Sequence, residues 1–220
     1  MSTSQQTIPS FPLPQAGWLK VLGRFFSYLF HPLFIPLYVA AYLIFLHPYL
    51  FAVFPEKQKT IILISVASQT ILFPALTVFL LWRLGFADSI FLRTQKERII
   101  PYVATNIFFF WAFYVSKNRF PDEMTFFFLG IFLSSAAGLM ANNYFKVSMH
   151  AIGVGGSAAF MILLGMVNAE TGGLPLAIAV AVAGIVCTSR LLVSDHHPME
   201  IYWGLFLGIA CQVAACYFIM

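Results

Sequence analysis

Leu174-Pro-Leu-Ala-Ile-Ala-Val-Ala-Val-Ala-Gly-Ile-Val-Cys-Thr-Ser-Arg190 carries no charged side chain before its last residue. Such a run approaches the roughly 20 apolar residues needed to cross a hydrocarbon core about 30 Å thick. Working outward from it, comparable runs occupy 27–47, 60–82, 101–117, 124–143, 149–168 and 199–219, giving seven candidate spans. Of the 220 residues, 60% are hydrophobic and only 9% are charged, against about 25% charged in a soluble domain. Mean hydropathy is +0.87, more apolar surface than a soluble fold of this size can hide. The expected fold is all-α: a polytopic transmembrane helical bundle of six to seven spans. Residues 1–26 read as a polar tail and an interfacial start, and 27–220 as a single transmembrane domain.

The tail from Met1 to Gly17 is rich in Ser, Gln and Pro. It lacks the charged n-region and small-residue cleavage site of a signal peptide, so the first apolar segment is expected to stay in the chain. Pro32 and Pro36 beside His31 predict an interfacial beginning and a kink in the first span. His31 and His47, at its ends, read as interfacial residues. Cys187, Cys211 and Cys216 lie in apolar runs without metal-ligand spacing and read as packing residues. Gly153, Gly155 and Gly156 fit close helix packing better than a phosphate loop. The net charge of +4 is dispersed through short loops rather than gathered in a stripe, so no nucleic-acid partner is expected; membrane loops and anionic head groups account for it.

If the spans alternate, the N-terminal tail and loops 83–100, 144–150 and 189–198 share one face. That face collects Arg93, Lys96, Arg98, Lys146, His150, Arg190, Asp195, His196 and His197. The richest stretch is Ser189-Arg-Leu-Leu-Val-Ser-Asp-His196-His-Pro-Met-Glu200-Ile-Tyr-Trp-Gly204. Ionisable groups at a helix mouth in a membrane are usually functional or tightly paired. Were the last helix to begin before His196, His196 and Glu200 would be i and i+4 on one face. Glu200 could then take the Nδ1 proton and leave Nε2 nucleophilic. Asp195 suits an N-cap and Pro198 a first helical turn.

These residues resemble the third signature of the type 2 phosphatidic acid phosphatase superfamily. Ser189-Arg190, five residues, His196, three residues, Glu200 reproduces its spacing, with Glu where the family has Asp. Val147-Ser148-Met149-His150 is similar to the second signature, lacking its Pro and Gly; the first signature is matched only loosely by Arg93-Thr-Gln-Lys96-Glu-Arg98-Ile-Ile-Pro101. The resemblance implies a metal-free, cofactor-free lipid phosphatase with His196 as nucleophile, His150 as general acid and Glu200 orienting His196. Arg190, Ser189, Ser148, Lys96, Arg98 and Lys146 would hold the phosphate. The implied partners are a membrane lipid phosphate or diphosphate and the bilayer itself.

Rival readings remain: a phosphotransferase of the same fold, an inactive lipid-phosphate binder, or a transporter. The transporter reading expects charge at mid-span, whereas here charges lie at span ends. A metal at Asp195-His196-His197 is disfavoured because adjacent helical histidines diverge. The Lys and Arg count, eight on the candidate active face against four opposite, favours a cytoplasmic site. Several of the eight are phosphate ligands in this reading, and the resemblance implies the outer face of a bacterial inner membrane.

Overall fold

The computed structural model describes residues 17–90, 95–168, 172–193 and 197–220, and of residues 95 and 96 the backbone alone. Among the described residues every regular element is helical. The chain is an integral membrane helical bundle: six helical stretches are long and apolar enough to cross a bilayer, and a shorter apolar one joins them.

Helix α1, Gly17–Leu29, spans about 20 Å and is too short to cross. Trp18, Val21, Leu22, Phe25 and Tyr28 are exposed along it, as in an amphipathic helix lying at the interface. Pro32 disfavours helical geometry in the residue before it, and the expected kink is a full break. Helix α2 starts afresh at Ile35–Ala41, with Pro36 in its first turn, and continues as a π-helical turn over Tyr42–Leu46. His47 is extended before Pro48 and buried within the protein. Its Nδ1 accepts the Leu50 N–H at 3.4 Å, folding the next loop inward.

The second span joins α3, Glu56–Ala67, to α4, Phe73–Arg83, through a π turn at Ser68–Leu72. Pro74 cannot donate to a carbonyl four residues back, and the π turn absorbs the mismatch. Helix α5, Gln95–Ser116, begins well before the apolar run at 101, so Lys96 and Arg98 stand on a helix instead of in a loop. The charged residues form its interfacial end. Asn118, in the left-handed region (φ 65), turns the chain into α6, Asp122–Asn142, whose first turn carries Asp122 and Glu123 at the positive end of the helix dipole. Then follow α7, Met149–Val167, α8, Gly173–Val193, and α9, Pro198–Ile219.

The core lies where α6, α7 and α9 meet. Phe126, Phe127, Phe128 and Phe160 are fully enclosed, with the Phe127 and Phe160 rings 4.6 Å apart. Helices α7 and α9 run parallel with their backbones in contact, which glycine permits. A Cβ on Gly155 would lie 2.9 Å from the Leu205 carbonyl oxygen, and one on Gly204 2.7 Å from that of Ser148. One on Gly208 would overlap the Ile152 carbonyl. This register brings the N-termini of α7 and α9 together at one face. At the other face Phe51, after α2, meets Phe120, before α6. The spans therefore alternate as expected, and His31, Arg98, His150, Arg190 and Glu200 share a face.

Candidate active site

Ser148 is the N-cap of α7. Its extended backbone (φ −82, ψ 106) lets Oγ accept the Ala151 N–H at 3.4 Å, and it is fully buried. Its own N–H donates to the Glu200 carbonyl at 3.2 Å. This bond ties the starts of α7 and α9 together, two residues before His150.

His150, on α7, reaches across to α1, where its Nε2 lies 3.1 Å from the Ser27 carbonyl oxygen. A carbonyl only accepts, so Nε2 carries a proton, and Nδ1 is the basic nitrogen when the ring is neutral. The His31 ring stands edge to face against it, centroids 5.3 Å apart and planes at 84°. His31 Nδ1 accepts the Leu33 N–H at 3.3 Å, which puts the proton of neutral His31 on Nε2. Burial first, and then the positive charge of Arg190, hold the His31 imidazole below its ordinary value.

Arg190 lies in the last turn of α8, where a cation complements the helix dipole. Helix α1 packs over this turn through Gly23, where a Cβ would lie 2.5 Å from Val193 Cγ2 and 3.5 Å from the Ser189 carbonyl. Ser189 is buried, and its Oγ donates to the Ile185 carbonyl at 2.7 Å. Beside the Glu200 carboxylate in the first turn of α9, the mouth gathers a guanidinium, two imidazoles and the positive ends of α7 and α9, groups that favour an anion.

Several expectations change in detail. The N-cap of α9 is His197, extended at φ −74 and ψ 152, with Pro198 the first helical residue. The cap thus falls at 197, two residues after the expected Asp195, and α9 begins after position 196 instead of before it. His196 itself, with Ser194 and Asp195, lies outside the described residues, as do Arg93 and the side chain of Lys96. The Glu200 carboxylate belongs to the first turn of α9. Lys146 is exposed between α6 and α7. Arg98 lies at the same face on α5, a helix packed chiefly on α4 and α6.

The structure thus brings together Arg190, His150, Ser148 and Glu200, and adds two residues that motif reading passed over, His31 and Ser27. The buried Ser27 hydroxyl makes no hydrogen bond among the described residues. Span parity was the signal for His31, since a residue heading the first span faces the same side as His150. The chain matches no family model, no curated protein and no solved structure.

Proposed function

We propose that this protein is a metal-independent lipid phosphate phosphatase working through a phosphohistidine on His196. The observation that carries the reading is the hydrogen bond from Ser148 N–H to the Glu200 carbonyl. It joins two segments far apart in sequence, Val147–His150 and Ser189–Glu200, that the resemblance assigns to one site. The company of Arg190, His31 and His150 supports it further.

In the proposed reaction Arg190 holds the phosphate oxygens, aided by Lys146, Lys96 and Arg98 on the same face. A neutral His196 nitrogen attacks phosphorus as the bond to the lipid oxygen breaks. Protonated His150 gives the leaving oxygen a proton. Neutral His150 then takes a proton from water, which attacks the phosphohistidine; the P–N bond breaks and inorganic phosphate leaves. Glu200 orients His196 from the start of α9, and most of the stabilisation comes from cations around one anion. The proposed setting is the outer face of a bacterial inner membrane.

The test is phosphate release from a panel of phosphatidic acid, phosphatidylglycerol phosphate, polyprenyl diphosphate and lipid A phosphate, in chelator, by wild type and His196→Ala. Chelator-resistant release that the substitution abolishes supports the proposal; undiminished release by the variant removes His196 as nucleophile. A second reading, a lipid-phosphate binder without turnover, draws on the start of α9 at Pro198 and the burial of Ser148 Oγ in its cap. It predicts phosphate-dependent lipid binding with no release.

A further inference from the structure

Between α2 and α8, with α7 as its floor, runs a groove of about 600 Å³. Its walls are apolar apart from Ser157 and the hydroxyl-bearing rims of Tyr38 and Tyr42. Phe30 and Ile35 line the end nearest His31, and Leu46 and Pro48 line the opposite end. On α8 it is bordered from Val182 to Leu174, a rise of about 12 Å. It therefore follows the membrane normal from the level of the cationic mouth towards the far face.

Its upper end is built into the site. Ile35 packs on Val154 and Val186, and Val186 lies one turn before Arg190 on α8. The turn carrying His31 rests on α7 at Gly153, where a Cβ would lie 3.0 Å from Ile35 Cδ1. Phe30, beside His31, stacks edge-on against Tyr38 at 6.2 Å, and Tyr38 donates to the Leu29 carbonyl at 2.9 Å. The break between α1 and α2 thus forms one wall of the groove and one side of the mouth.

We infer that this groove holds a long hydrocarbon chain of a ligand whose phosphate sits at Arg190, His31 and His150. The inference rests on the lipid-phosphate reading of the mouth and deepens it. A groove of about 600 Å³ has room for a hydrocarbon chain, since a methylene is close in size to a water, about 30 Å³. Charge at one end and an apolar trough below it match an amphiphile with an anionic head. The groove opens sideways to the bilayer, as the exposure of Leu46, Leu174 and Ile178 shows, so a chain can slide in without leaving the membrane.

The test uses the full-length protein in nanodiscs of zwitterionic lipid and a hexadecyl phosphate with a diazirine near the chain terminus. After photolysis, labelled peptides are mapped for wild type, Ala179→Trp, Arg190→Gln and Ala181→Trp, the last on α8 outside the groove. Labelling in wild type is expected on segments 38–48 and 174–182. Ala179→Trp and Arg190→Gln should each lower it by ~10-fold, corresponding to about 1.4 kcal/mol, while Ala181→Trp leaves it unchanged. The matching alcohol, lacking phosphate, should label weakly. Labelling elsewhere, or equal labelling by the alcohol and in Arg190→Gln, would overturn the inference and reduce the groove to one filled by bulk lipid. Release of phosphate from the same probe is recorded separately, so loss of the phosphatase reading and loss of the groove are distinct outcomes.

Discussion

The His31 and His150 rings meet edge to face at 5.3 Å, one from the break between α1 and α2 and the other from the first turn of α7. Arg190 contributes its charge to the same place, so two imidazoles and a guanidinium share a small volume. A neutral His31 is compatible with that crowding, and burial favours the same state.

This has a consequence for stability. The folded His31 value lies below the unfolded 6.5, so between the two values the unfolded chain binds more protons. Stability is then complete above about 6.5 and falls as pH drops below it. Thermal unfolding in detergent between pH 8 and 5 should show a decline in wild type on the acid side. His31→Asn should show a shallower decline; an identical slope in the variant would exclude His31 as its source.

His150 is expected to matter according to the leaving group. His150→Gln should lower release from an alkyl phosphate by ~10²–10⁴-fold. In the first step alone, read as the burst that forms phosphohistidine, a p-nitrophenyl phosphate, whose leaving group needs no proton, should lose far less. Equal losses on both would assign His150 a structural role through Ser27.

Arg190→Lys keeps the charge but loses the planar fork that grips two phosphate oxygens. A hydrogen bond to a charged group contributes about 1.5–3 kcal/mol, so binding of a lipid phosphate should weaken ~10- to 150-fold. Titration with a non-hydrolysable phosphonate lipid reads this directly. Unchanged affinity would place the anion elsewhere.

The parallel contact of α7 and α9 is testable without any assay of function. Gly208→Leu drives a side chain into the Ile152 carbonyl and should cost about 1–3 kcal/mol or more. Gly184→Ala, on α8 with nothing within 4 Å, should be neutral or slightly stabilising, as Ala favours helix over Gly by about 1 kcal/mol. Thermal melts of both variants in one detergent compare them; equal loss would contradict the packing described.

Length and apolarity of the runs made the spans legible, because a bilayer imposes both. Their alternation made one face legible too, since parity follows from the number of crossings. The starts of helices were not legible. Helix α5 extends into Gln95–Ile100, where charged residues end the apolar run without ending the helix. Helix α9 starts at Pro198, after an extended His197, and not before His196, the start on which the helical pairing with Glu200 is conditional. Motif spacing identified Arg190 and His150 but could not reveal His31, which reaches them through tertiary packing of α1 and α2 on α7 and α8. Glycine pattern foretold close packing, and the contacts of Gly155 with Leu205 bear that out.

The most direct test of the central claim is capture of the covalent intermediate. Protein in detergent with chelator is mixed for milliseconds with a ³²P-labelled lipid phosphate and quenched in alkali, where a P–N bond survives and a carboxyl phosphate does not. The account predicts alkali-stable, acid-labile label on wild type, mapping to His196 and absent from His196→Ala. Robust phosphate release with no such label, or release that survives His196→Ala, would contradict it.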